Sequence, residues 1–320
     1  MGGNKILILG VQPPPIGGVT IHVKRLCEQL MYTSFDWVFA DIKKTSKIRI
    51  LSDCLVYKNI HLHSSNPYLR FLISAFCFLF RKRLLVTFHG NLGRYGRFKN
   101  WLDCLTARYC FLPIVLNENS LSIAKRFNKK ALLITAFIPV KAITPLQEQY
   151  IDLIEILKKN CKQIFCTNAS YVGFDANGKE IYQITDVIAV FNSQPQKGLI
   201  ISDPSGKYNS YLKSQNVSVG RNIILITEPH DFNAIIKLSD AMLRFTTTDG
   251  DSVSVREALS LRKPVIATNV VSRPRGVTLI SPDVKDLEDF LNSNNIKAVS
   301  DDVKIENAFD DLQNVYRSIL

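Results

Sequence analysis

Arg244-Phe245-Thr246-Thr247-Thr248-Asp249-Gly250-Asp251-Ser252-Val253-Ser254-Val255-Arg256-Glu257-Ala258-Leu259, followed by Lys263-Pro264-Val265-Ile266-Ala267-Thr268, reads as a strand, a small-residue loop, a helix and a proline-led strand. Strand, helix, strand is the βαβ unit of a parallel sheet, because parallel neighbours need a crossover. Ser252 or Ser254 is the expected N-cap, placing Asp249 in the loop and Glu257 in the helix body. A helix start offers N–H groups to an anion, and carboxylates on either side accept hydrogen bonds from hydroxyls. A diphosphate flanked by a ribose and a sugar matches that arrangement, since charged acceptors hold hydroxyls more strongly than neutral ones.

The same alternation runs outward along the chain. Strands are predicted at Lys5 to Leu9, Trp37 to Ala40, Ile60 to His63, Leu84 to His89 and Ile114 to Leu116, with helices between them. Ala136-Phe137-Ile138-Pro139 reads as an exit strand ending in a proline turn. A second series follows at Gln163 to Thr167, Gly198 to Ser202, Ile223 to Thr227, Ala241 to Phe245 and Pro264 to Ala267. A chain of 320 residues exceeds what one core usually holds. The expected architecture is α/β, two facing Rossmann-like domains with parallel sheets and ligand in the cleft at the carboxyl ends of the strands. The expected boundaries are 1–140, 141–303 and a last helix from Lys304 to Ser318 that packs on either domain.

Charge is unevenly spread. Residues 1–140 hold 20 Lys/Arg against 6 Asp/Glu, and residues 141–320 hold 20 against 22. A basic first half beside a near-neutral second half points to a polyanion at the first domain, with solubility charge as the bland alternative. The run Phe71 to Phe80 (FLISAFCFLF), bracketed by Arg70 and Arg81-Lys82-Arg83, is too short to span a bilayer, which needs about 20 residues. It is either a buried helix or one lying on an anionic membrane. The start, Met-Gly-Gly-Asn running straight into a strand, lacks the features of a secretory signal, so a cytoplasmic protein, peripheral at most on the inner membrane face, is expected. Seven cysteines without a Cys-x-x-Cys pair read as reduced structural thiols, and no metal is implied.

The first loop, Gly10-Val11-Gln12-Pro13-Pro14-Pro15-Ile16-Gly17-Gly18-Val19, precedes a helix expected to open at Thr20. Gly17 and Gly18 let backbone approach a phosphate, although a tight turn would use them too. The G-x-G-x-x-G spacing is absent, which disfavours a dinucleotide. Thr87-Phe88-His89-Gly90 sets His89 at the carboxyl end of a strand, where ligand chemistry occurs in open sheets. His22 reaches the same region or packs against it. His61 and His63 alternate on one strand without a carboxylate or Cys partner, a poor metal site.

Together these motifs resemble family 4 glycosyltransferases over nearly the whole chain. The segment from Asp249 to Glu257 resembles their E-x7-E signature, with Asp249 at the first Glu. Thr227-Glu228-Pro229-His230-Asp231 and the helix to Leu238 resemble the run into it, Gly17-Gly18-Val19 the N-terminal loop, and Thr87-Phe88-His89 the cleft histidine. The resemblance implies a retaining, metal-independent GT-B enzyme that uses a nucleoside diphosphate sugar, UDP- or GDP-linked. It gives Glu257 the ribose, Asp249 the donor sugar, Gly250, Asp251, Ser252, Val253 and Ser254 the diphosphate, and His89 a place beside the transferred sugar. The acceptor implied by family habit is a saccharide or lipid-linked saccharide of bacterial surface polysaccharide, such as O-antigen, capsule or lipopolysaccharide.

Two departures stand out. Asp at 249 is one methylene shorter than Glu, and the basic pair expected for the diphosphate is not evident. Lys179 is the nearest match, Lys207 and Arg221 are substitutes, and Arg273 and Arg275 read equally as cleft residues or a solvated turn. Three other functions stay open: a sugar-nucleotide epimerase or hydrolase on the same fold, an inactive partner subunit, and a basic binding protein. Nucleic acid is disfavoured, because the aromatics at 71–80 form an apolar run rather than a stacking platform.

Overall fold

Ile6–Gly10 is buried at every position, the signature of a strand covered on both faces. The structure, a computed structural model, describes residues 5–169, 171–293 and 295–320. The opening Met-Gly-Gly-Asn, at which no secretory signal is expected, lies outside them. The chain divides into two units, Met1–Ile138 with Glu306–Leu320, and Pro139–Ile305.

In the first unit, β1 (Ile6–Gly10), β2 (Trp37–Asp41), β3 (Asn59–His63), β4 (Arg83–Phe88), β5 (Leu112–Val115) and β6 (Leu132–Leu133) pair in parallel in the order β2-β1-β3-β4-β5-β6. The connecting helices are α1 (Gly18–Leu30), α2 (Lys47–Val56), α3 (Pro67–Leu79), α4 (Arg97–Tyr109) and α5 (Glu118–Phe127). Order reverses between β1 and β3, so the topological switch point lies at their carboxyl ends, Gly10 and His63.

The second unit holds α6 (Glu148–Asn160), β7 (Gln163–Asn168), α7 (Ile184–Asn192), β8 (Lys197–Ser202), α8 (Lys207–Ser214), β9 (Ile223–Ile226), α9 (Phe232–Leu238), β10 (Ala241–Arg244), α10 (Val253–Ser260), β11 (Val265–Thr268), β12 (Val277–Ile280) and α11 (Val284–Ser293). Its parallel sheet runs β12-β11-β10-β7-β8-β9, with the switch point between β7 and β10. Each sheet carries an apolar layer on both faces. In the second unit one layer is built around Phe165, Phe191 and Leu243, and the other around Ile200, Met242 and Val255.

The last helix, α12 (Ala308–Ile319), buries Phe309, Leu312, Tyr316 and Ile319 against Ile6, Ile8 and Leu85 of the first sheet. Its start is later than the expected Lys304. Ala136–Pro139 is not a strand: Phe137 accepts from the Ala308 N–H, and the sheet instead ends at β6. Helix α1 opens at Gly18 rather than Thr20, whose hydroxyl turns back to accept from the Gly17 N–H at 3.1 Å and so forms the cap.

Candidate functional site

Arginine at the end of β10 follows Ala241, Met242 and Leu243, all buried, and is itself buried. A buried guanidinium requires a counter-charge. The loop to α10 supplies it. Arg244 donates from Nε to Asp249 Oδ2 and from Nη2 to Oδ1, both at 2.9 Å, a two-pronged bond. Arg273, which follows β11, donates from Nη1 to the same Oδ2 at 2.7 Å. Burial raises the Asp249 carboxyl, but the two guanidiniums outweigh it and hold the acid down to about 2. Arg244 Nη1 also donates to Asn168 Oδ1 at 3.3 Å, joining the carboxyl ends of β7 and β10 across the switch point.

Helix α10 begins at this cluster, with Ser252 as N-cap. The Ser252 and Ser254 hydroxyls bond each other at 3.0 Å, and Asp251 pairs with Arg256 at 2.7 Å. Glu257, one turn on, is buried and accepts from Asn233 Nδ2 at 3.2 Å. Asn233 is in turn bonded to Asp231, the N-cap of α9. A Cβ at Gly250 would meet nothing within 4 Å and its backbone is not left-handed, so neither crowding nor conformation requires glycine there. The Gly250 N–H donates to Asp249 Oδ1 at 2.9 Å, which ties the loop to the arginine cluster.

The remaining candidates of this unit scatter. Glu228 is exposed, and its carbonyl accepts from His230 Nδ1 at 2.6 Å while the other ring nitrogen meets Ser202 Oγ at 2.7 Å. Lys179 is exposed and donates to the Pro282 carbonyl at 3.2 Å. Lys207 is exposed at the start of α8. Arg221 precedes β9, at the amino end of the sheet beside Leu153, Ile156 and Asn160, the wrong end for a switch-point ligand. Arg275 is exposed against Asp302, whereas Arg273 is buried. The guanidiniums that converge are therefore Arg244 and Arg273, and Arg244 was passed over in the sequence. Its one signal was a cation closing an otherwise apolar strand.

In the first unit, Gly17 and Gly18 again have open space where a Cβ would lie. His22 from α1, His63 from β3 and His89 after β4 gather at the switch point, with ligand nitrogens all within 4.8 Å of one another. His63 Nδ1 and His89 Nε2 share a hydrogen bond at 3.0 Å, and His22 Nδ1 donates to the Ala136 carbonyl at 2.7 Å. His61 lies behind them, bonded to Tyr316 Oη and Thr87 Oγ1, both at 2.7 Å. Burial holds His63 and His89 well below the usual imidazole range and His61 down to about 3, so these rings are neutral at pH 7. By donor count, His22, His63 and His89 have the makings of a divalent metal site. Arg70 and Arg94 bear on His89 and oppose a dication. The sequence reading found no carboxylate or Cys partner for His63 on its strand, and the structure adds what it did not foresee, two further histidines brought from α1 and from the loop after β4.

With the two sheets and both switch points located, structural comparison identifies the architecture. HepE of Anabaena, solved with UDP and glucose, superposes with a TM-score of 0.67 at 12% identity over 98% of this chain and 95% of HepE. The fold is GT-B. Sucrose-phosphate synthase of Thermosynechococcus elongatus gives a TM-score of 0.71 at 14% identity over 99% of both chains. The lipopolysaccharide outer core galactosyltransferase WaaB gives 0.60 at 13% over 99% of this chain and all of WaaB. No protein-family model and no curated protein matches the sequence. At these identities the likeness of this GT-B chain to its neighbours is one of fold.

Proposed function

We propose that this GT-B chain is a glycosyltransferase that moves a sugar from a nucleoside diphosphate sugar, UDP- or GDP-linked, to a hydroxyl of a saccharide or lipid-linked saccharide, with retention of configuration. The observation that carries the reading is the convergence of Arg244 and Arg273 on Asp249 beside the open N-terminus of α10 and the buried Glu257. Two fixed guanidiniums on one carboxylate keep a net positive charge behind a helix start, a field that favours a departing diphosphate. Glu257, oriented by Asn233, is the acceptor for ribose hydroxyls. Asp249, engaged by both arginines, acts here as their positioning residue, whereas the family 4 resemblance gave it the sugar.

In the reaction, the bond from the anomeric carbon to the phosphate oxygen breaks and the bond to the acceptor oxygen forms on the same face. The acceptor proton passes to the leaving phosphate, which needs no separate base. The neutral His89 ring is suited to hydrogen bonding rather than to holding charge. HepE, crystallised with UDP-glucose, and WaaB, a lipopolysaccharide galactosyltransferase, support this choice of donor and acceptor class.

The test is a thermal-shift screen of UDP- and GDP-sugars. A donor that binds only the native state raises Tm in proportion to ln(1 + [L]/Kd). We expect one donor class to do so, Glu257→Ala to abolish the shift, and Arg273→Ala to lower kcat about 100-fold. No shift with any nucleotide sugar, or an unchanged rate for Glu257→Ala, would overturn the assignment. Release of free sugar from the donor with no acceptor present would favour a hydrolase.

A further inference from the structure

Helix α3 buries Arg70, Ile73, Ser74 and Cys77, yet the residues it turns outward are apolar. Tyr68, Leu72 and Leu79 recur at helical spacing on one stripe, with Leu72 55% and Leu79 74% exposed. The neighbouring α4 continues the surface with Phe98, 59% exposed, and Trp101, 54% exposed. The rings are contiguous: the Tyr68 and Phe98 centroids are 6.3 Å apart, and those of Phe98 and Trp101 5.8 Å. Two helices of 13 residues make a face about 20 Å long. Exposed apolar surface of that extent marks an interaction site.

Charge identifies the occupant. Residues 54–117 contain nine Lys/Arg and one acid, Asp103. That acid is buried against Arg70 at 2.6 Å, so the surface itself shows only cations. Arg94, Arg97 and Lys99 rim the aromatic patch, with Lys99 Nζ 6.0 Å from the Tyr68 ring. A second copy of the chain would set like charges against each other. Nucleic acid would use the cations and aromatic rings but leave Leu72 and Leu79 in water, since leucine does not stack on bases. An anionic bilayer uses all three classes: leucines in the acyl boundary, Trp and Tyr at the head groups, and Lys/Arg against lipid phosphate. Among the described residues no helix is long and apolar enough to cross a membrane, so contact is from one side.

We infer that the α3–α4 face docks this protein on anionic lipid. The inference is independent of the donor site, which belongs to the other unit. It is tested with the full chain carrying Trp37→Phe, which leaves Trp101 as the single tryptophan. Vesicles of phosphatidylcholine, with and without phosphatidylglycerol, are floated, and Trp101 emission is read in parallel.

Binding at least tenfold stronger to the phosphatidylglycerol vesicles is expected, with a blue shift of Trp101. Arg97→Glu with Lys99→Glu should remove the preference for anionic lipid, and Leu72→Asp with Phe98→Ser should remove binding. All four positions are exposed, so an unchanged Tm and donor thermal shift serve as the folding control. Equal binding to both vesicles, or variants that bind like wild type, would overturn the proposal. So would a concentration-dependent dimer that Leu72→Asp dissolves, or an oligonucleotide that binds through the same residues.

Discussion

Asp249 has two chemistries open to it, and its partners select one. A free carboxylate binds sugar hydroxyls, whereas one held by two guanidiniums fixes the direction in which those cations point. Its acid lies at about 2, below the 3.8 of an unhindered Asp, so the ionised form stabilises the native state. That contribution, about 2 kcal/mol, is complete above pH 4 and is lost only as pH falls toward 2. Asp249→Asn leaves two buried guanidiniums underpaired and should cost about 3–5 kcal/mol. In urea titrations the gap between wild type and variant should stay constant from pH 8 to 5, whereas a gap already closing at pH 6 would contradict the pairing. The sequence put Asp249 in the loop and Glu257 on the helix because the cap and period of α10 are local. It passed over Arg244 and left Arg273 undecided between the cleft and a solvated turn. Arg244 meets Asp249 only once the loop has folded back, and Arg273 comes from beyond the next strand, where no periodicity reaches.

Apolar runs made most strands legible, although burial alone did not decide it: β2, with only Ala40 buried, was located to within a residue, and the fully buried β5 was placed two residues late at its start. Strands β1, β4, β7 and β8 are apolar runs hidden on both faces, and the sequence located each to within a residue. Strands β6 and β12 escaped because edge strands need no such run: Leu132 and Leu133 are both exposed and no residue of Val277–Ile280 is buried. Helix α3 was read as either buried or interfacial, and the structure gives it one buried face and one exposed apolar face. Its inner face depends on Arg70, which donates from Nε and Nη2 to Asp103 Oδ1 on α4 and from Nη1 to the Ser64 carbonyl. Asp103→Ala strands this cation in a dry interior and should lower stability by about 3–5 kcal/mol. The paired change Arg70→Met with Asp103→Leu should recover most of the loss. If the double variant is no more stable than Asp103→Ala, packing rather than charge holds α3 to α4.

At the scale of the molecule, each unit is a six-stranded parallel sheet, but the two differ in strand order and in charge, and their switch points are furnished differently. The second unit gathers arginines around an acid, and the first, though rich in Lys and Arg, gathers neutral histidines. Those histidines make the first unit sensitive to acid. Their folded pKa values lie below 6.5, so the unfolded chain binds more protons once pH falls beneath that value. Each such histidine then weakens the fold by about 1.4 kcal/mol per pH unit until its own low pKa is reached. Repulsion among the surplus cations adds to the trend. Both tryptophans, Trp37 and Trp101, lie in the first unit, so their fluorescence follows that unit alone. Denaturation monitored this way should show a midpoint that is flat from pH 8 to 7 and falls steeply from 6.5 to 5. His63→Gln, which removes one titrating ring, should make that fall shallower. A midpoint independent of pH over this range would mean that the rings protonate freely in the native state and are not the closed cluster that joins α1, β3 and β4.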